Sequence, residues 1–180
     1  MKNASLATLI LSVALLFSGC TEVTFPEPMP FNRSNKSTFP QAWCGTWNYN
    51  GSSDALSEVM SISPQYIGFD DKNIVLGGEN VLRRFNGYYI LSTNEEREER
   101  WVLYLAKRNG NVLSIYQFDG EDEEKLELWE SLLLPKQLEK VTKPNNAAEV
   151  KEYQINPGNN AALRKLINGG GLSHVGDYVR

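Results

Sequence analysis

The chain has 180 residues, 41% of them hydrophobic and 22% charged, with 18 lysines and arginines against 22 aspartates and glutamates, for a net charge of −4. That length suits one domain with a single core, and a mildly acidic balance argues against a protein that grips nucleic acid or an anionic membrane surface by charge. One histidine and two cysteines do not make a zinc site.

In chain order, Lys2 is followed by an apolar-rich run from Ala4 to Phe17, and no acidic residue occurs before Glu22. The run holds 14 residues, short of the ~20 that span a hydrocarbon core. It ends in Leu16-Phe17-Ser18-Gly19-Cys20, with two small residues ahead of the cysteine. Residues 1–19 therefore read as an export signal. The pattern resembles the lipobox of bacterial lipoproteins, with Phe17 where leucine is usual. The resemblance implies that Cys20 is diacylglyceryl-modified, becomes the first mature residue and is N-acylated with a fatty acid such as palmitate. It also implies sorting to the outer membrane, because Thr21 stands where aspartate would favour retention in the inner one. Three acyl chains at about 0.8 kcal/mol per buried CH₂ make a durable anchor.

Residues 20–40 carry Pro26, Pro28, Pro30 and Pro40 and the polar cluster Asn32 to Thr38. They are expected to be a flexible tether, long enough to hold a domain tens of ångströms from the bilayer. Residues 41–180 are expected to form the folded domain. With Cys20 acylated, Cys44 is its only thiol and has no disulfide partner.

That domain reads as short strands. The runs Gly45–Asn50, Glu58–Ser63, Tyr66–Phe69, Asn73–Leu76, Val81–Phe85, Tyr88–Thr93, Arg100–Lys107, Val112–Phe118 and Lys125–Glu130 alternate with Gly, Asn and Asp turn signals. Both faces of Arg100–Lys107 are apolar, which predicts a central strand. Pro135 opens a predicted short helix through Leu138 and Val141. Val150–Ile155 is strand-like, and a second helix is expected from an Asn156 cap and Pro157 to the stop at Gly169-Gly170-Gly171. Leu172–Val179 is a last strand. The fold class is mainly β, an antiparallel barrel or sandwich with one or two short C-terminal helices.

Gly45-Thr46-Trp47 at the head of the first domain strand, followed by antiparallel strands, a helix and a final strand, resembles the lipocalin-like domains of bacterial lipoproteins. The resemblance covers about residues 43–180 in element order. It implies that Gly45 relaxes the chain at the closed end of a barrel, that Trp47 plugs that end and that an arginine covers the indole. Arg84, Arg164 and Arg180 are candidates for that arginine.

No residue pattern points to catalysis, and no cofactor or metal is expected. Cys44 and His174 are the only pair from which a thiol–imidazole dyad could be drawn, and Cys44, between Trp43 and Gly45, reads as a small buried hydrophobe. The acidic run Asp119 to Glu124 lacks the order of a calcium loop and reads as a solvated hairpin. Glu95 to Arg100 reads as an exposed tip. The aromatic residues are numerous enough for a lined cavity or an interface. Two functions follow: a non-enzymatic envelope module that docks another protein, or a carrier of a small apolar molecule, whose ligand-binding residues stay unassigned. The bulk of Trp101, Leu103, Tyr104 and Leu105 predicts a filled interior. The expected partners are the membrane, through Cys20, and either an envelope protein or an apolar ligand, with no role for nucleic acid.

Overall fold

Short β-rich runs separated by turn residues become, in the computed structural model, one mixed sheet of twelve strands with two helices. The structure describes residues 21–51, 57–69, 72–94 and 99–180. Residues 1–19, read above as an export signal, Cys20, expected to be acylated, and residues 95–98 of the charge run lie outside them. The strands are β1 (Glu22–Phe25), β2 (Gly45–Tyr49), β3 (Val59–Ile62), β4 (Tyr66–Phe69), β5 (Lys72–Val75), β6 (Asn80–Phe85), β7 (Tyr88–Thr93), β8 (Trp101–Asn109), β9 (Val112–Gln117), β10 (Leu138–Lys143), β11 (Asn146–Ile155) and β12 (Ser173–Val179). Helix α1 (Glu123–Leu132) lies between β9 and β10, and α2 (Asn160–Asn168) between β11 and β12.

The expected barrel is not closed. Along the path β6-β7-β8-β9-β12-β2-β3-β4-β5 every neighbouring pair is antiparallel. The path has an odd number of strands, so β5 and β6 at its two ends share one sense. They are also successive in the chain, joined by a tight turn that pairs strands only antiparallel. Both demands cannot be met along a full ladder. A single bridge forms, Gly77 with Asn80, and among the described residues the pairing goes no further.

Residues 20–40 are not a loose tether where the structure describes them. Strand β1 pairs parallel with β11, with Val23 opposite Tyr153, and antiparallel with β8, with Phe25 opposite Trp101. This parallel pair makes the sheet mixed where an antiparallel one was expected. Phe25 and Met29 have no exposed surface. Arg83 donates to the carbonyls of Pro28 and Pro30. Lys36 bridges to Leu82 on β6, and the Phe39 N–H donates to Pro64 O at 2.7 Å. The segment thus runs along the free edge of β6 to the β3–β4 turn and covers the seam that the sheet leaves unpaired. Val23, Phe25, Met29 and Phe39 supply apolar anchors that four prolines and a polar cluster mask in the sequence.

Strand alternation sorts side chains into two cores. Leu103 and Leu105 of β8, Ile90 of β7 and Phe118 pack with Trp129, Leu163, Leu166 and Ile167 under the helices. Trp47, Met60, Ile62, Leu82, Leu91, Leu113 and Tyr178 form the other core, inside the curve of the sheet. Strand β8, bonded to β1, β7 and β9, is central as its two apolar faces predict.

Two local expectations fail for reasons of period. Lys125–Glu130 is helical, not a strand. Its alternation also fits the i, i+3, i+7 stripe of Leu126, Trp129 and Leu133 that meets the core, and six residues cannot separate the two periods. Asp122 caps this helix, accepting from Lys125 N at 3.2 Å, and Glu123 and Glu124 occupy its first turn, where acidic groups suit the helix dipole. Conversely, Pro135–Gln137 is one 3-10 turn, and Leu138 starts β10 instead of continuing a helix. Helix α2 begins three residues later than expected, capped by Asn159, which accepts from Ala161 and Ala162 at 2.9 Å each.

Candidate binding cavity

Inside the curve of the sheet lies a half-enclosed cavity of about 470 Å³, so the filled interior expected from the bulk of β8 is not found. Alternation is the reason. Leu103 and Leu105 belong to the helix-side core, and the concave face of β8 carries Tyr104 and Ala106, the latter small. Beside them on the same face are Ile115 and Gln117 from β9 and Leu91 from β7, and Ile67, Phe69 and Ile74 from the β4–β5 hairpin complete the wall. Aromatic rings contribute from six places: Phe39, Trp43, Phe69, Tyr89, Tyr104 and Tyr178.

The wall is apolar with few polar groups. Ser57 and Gln117 reach it, and Tyr178 Oη donates to Ser57 O at 3.0 Å. Exposure falls along the strands: Tyr104 is 40% exposed, whereas Leu113 and Tyr178 are buried. The accessible end therefore lies at Tyr104, Gln117 and Val175. Phe39 and Trp43 come from the N-terminal segment, so the strap that covers the seam also builds the cavity. Trp43 meets Tyr89 edge-on, with centroids 4.9 Å apart, a favourable geometry for two rings.

Beyond the deep end lies Trp47, fully buried, whose Nε1 donates to Trp43 O at 2.7 Å. Arg180 covers it. Its Cζ stands 4.1 Å from the indole centroid, and Nη2 donates to Trp43 O at 2.8 Å and to Cys44 O. Arg108 adds a second guanidinium, 5.6 Å from the same ring. Gly45 holds φ at +126°, and a Cβ there would stand 3.1 Å from Arg180 Nη2. Only glycine takes that backbone and lets the guanidinium in. Of the three candidate arginines, Arg84 covers Tyr89 and Arg164 covers Phe85, at 5.8 and 5.2 Å. Position alone decided this, and spacing in the sequence does not carry it.

The other candidates are dispersed. Cys44 Sγ lies 3.7 Å from Pro40 O, at the end of the sheet where Arg180 follows β12. His174 stands near the other end of that strand, about 20 Å away at ~3.3 Å per residue, so no thiol–imidazole dyad forms. His174 Nε2 is 3.0 Å from Asp177 Oδ1. The Ser114 hydroxyl, then His174, hold the Asp177 carboxyl below its ordinary range. The acidic run 119–124 is the entry to α1 and not a hairpin: Asp119 accepts from Glu121 N, and Asp122 caps the helix and accepts from Ser173 Oγ at 2.9 Å. Among the described residues no group of three or more His, Cys, Asp or Glu is placed to hold a metal ion, and no helix is long and apolar enough to cross a membrane.

Neither a model of a known protein family, nor a curated protein, nor a solved structure matches the chain.

Proposed function

We propose that the protein is a non-enzymatic lipoprotein, anchored through Cys20 in the outer membrane, whose cavity takes a small apolar or amphipathic molecule in the manner of lipocalin-like carriers. The observation that carries this reading is the aromatic-lined cavity of about 470 Å³. Its volume falls within the 300–1,000 Å³ of small-molecule sites, and its lining is mostly apolar with few polar groups, as such sites require. The stack of Arg180 on Trp47 beside Gly45 supports a lipocalin-like closed end. The lipobox-like run at Cys20 supports the anchor. The interaction-module reading has less behind it: Tyr66 and Val75, paired across β4 and β5 and 41% and 55% exposed, make a patch of two residues.

The test is an environment-sensitive fatty-acid probe titrated into the wild type and Ala106→Trp, which puts an indole into the cavity. Saturable binding by the wild type and its loss in a folded Ala106→Trp protein are the expected results. No saturable binding, or equal binding by both proteins, would sink the carrier reading.

A further inference from the structure

We infer that the acyl anchor holds the domain flush against the bilayer, on the face that carries Thr21, and that this face suits zwitterionic rather than anionic headgroups; the inference rests on the lipoprotein reading. Cys20 directly precedes Thr21, and one trans peptide places successive Cα atoms 3.8 Å apart. Thr21 is already part of the folded domain. Its N–H donates to Glu121 Oε1 at 3.2 Å. Its carbonyl lies against Gly120, where a Cβ would come within 2.7 Å of it.

From the next residue the chain is locked in the sheet. Glu22 to Thr24 pair with Glu152 to Gln154, and Phe25 is fully buried. Thr24 Oγ1 donates to Glu152 and accepts from Arg100 Nε at 2.7 Å. No spacer separates the anchor from the fold, so the domain cannot stand tens of ångströms off. The surface beside the anchor includes the entry to α1, where Glu121 accepts from Thr21 N and Gly120 packs on Thr21. The run there carries Asp119, Glu121, Asp122, Glu123 and Glu124 against Lys125, with Lys151 just before the Glu152 that pairs with Glu22. Such a face is repelled by an anionic leaflet over roughly a Debye length, about 10 Å at 0.1 M salt.

The experiment uses the full chain recovered from membranes, its acylated Cys20 verified by mass, in phosphatidylcholine vesicles with an energy acceptor on the headgroups. In a Cys44→Ser background, a donor dye is placed at Glu124→Cys or at Tyr66→Cys. Tyr66 lies on β4, four or five strands from β8 whichever way the curved sheet is followed. Transfer several-fold stronger from position 124 is expected. Ten Gly-Ser residues inserted between Cys20 and Thr21, a spacer of about 17 Å, should abolish that contrast. Phosphatidylglycerol at low salt should weaken transfer from 124, and added salt should restore it. Equal transfer from the two positions, or no effect of the insertion, overturns the flush arrangement while leaving the anchor intact. Indifference to phosphatidylglycerol overturns the headgroup preference. A mature chain without acyl mass on Cys20 overturns the lipoprotein reading and this inference with it.

Discussion

Trp47 is held from three sides. Its indole N–H is spent on Trp43 O at 2.7 Å, and guanidiniums stand over the ring from Arg180 and Arg108. The same carbonyl of Trp43 also accepts from Arg180, so the arginine, the indole and the turn before β2 form one closed unit. Trp47→Ala should cost about 3–5 kcal/mol, because it removes a fully buried ring and leaves a cavity. Arg180→Lys keeps the charge but loses the planar stack and the fork that reaches the carbonyls of Ala42, Trp43 and Cys44, and should cost about 1 kcal/mol. Urea denaturation of the two variants checks both figures. A loss below 1 kcal/mol for Trp47→Ala would contradict its burial in this unit.

Helix α1 shows what short patterns conceal and what they disclose. Asp122 supplies the cap, and its carboxyl is held below the ordinary range, first by the Ser173 hydroxyl and then by backbone N–H groups of the first turn. Asp122→Ala should cost on the order of 1 kcal/mol at neutral pH. A carboxyl whose folded pKa is lowered stabilises fully above its unfolded value, near 3.9, and that contribution is lost as pH falls through the folded pKa. The gap between wild type and Asp122→Ala should therefore hold from pH 7 to about 5 and close below about 4. Thermal melts across that range measure it, and a gap that persisted in acid would exclude the carboxylate as its source. The cap was legible, since Asp-Glu-Glu before an apolar stripe is a helix start. The same residues also fit a solvated hairpin at Asp119 to Glu124 followed by strand alternation at Lys125 to Glu130, so the local pattern alone does not separate the two. Strands β2 to β9 were legible because Asn, Asp and Gly turns mark their ends and their alternation has no helical rival. The cavity was not, because it requires knowing that Tyr104 and Ala106 turn toward the inside of the sheet's curve while the side chains of Leu103 and Leu105 join the core under the helices.

Taken whole, the molecule depends on its N-terminal segment in a way that composition hides. Nine strands alternating in sense cannot close on themselves through a tight β5–β6 turn, and the segment from Thr21 to Trp43 occupies what closure would have filled. It inserts β1 between β8 and β11, buries Phe25 and Met29, bridges to β6 at Lys36 and lends Phe39 and Trp43 to the cavity. A chain beginning at Thr21 should therefore fold cooperatively as a monomer. One beginning at Phe39 should not match it. Phe25 and Met29 alone contribute about 2 kcal/mol each by burial, and their removal opens voids in the helix-side core, beside Phe118 in the case of Phe25. Arg100 and Glu152 lose Thr24 between them, and the edges of β8 and β11 are left unpaired, an invitation to associate with other chains. The shorter chain should lose several kcal/mol in urea, elute beyond monomer size and bind the fatty-acid probe poorly, since Phe39 and Trp43 lose the strap that seats them. Equal urea midpoints and equal elution for the two chains would show that the domain is complete without its strap.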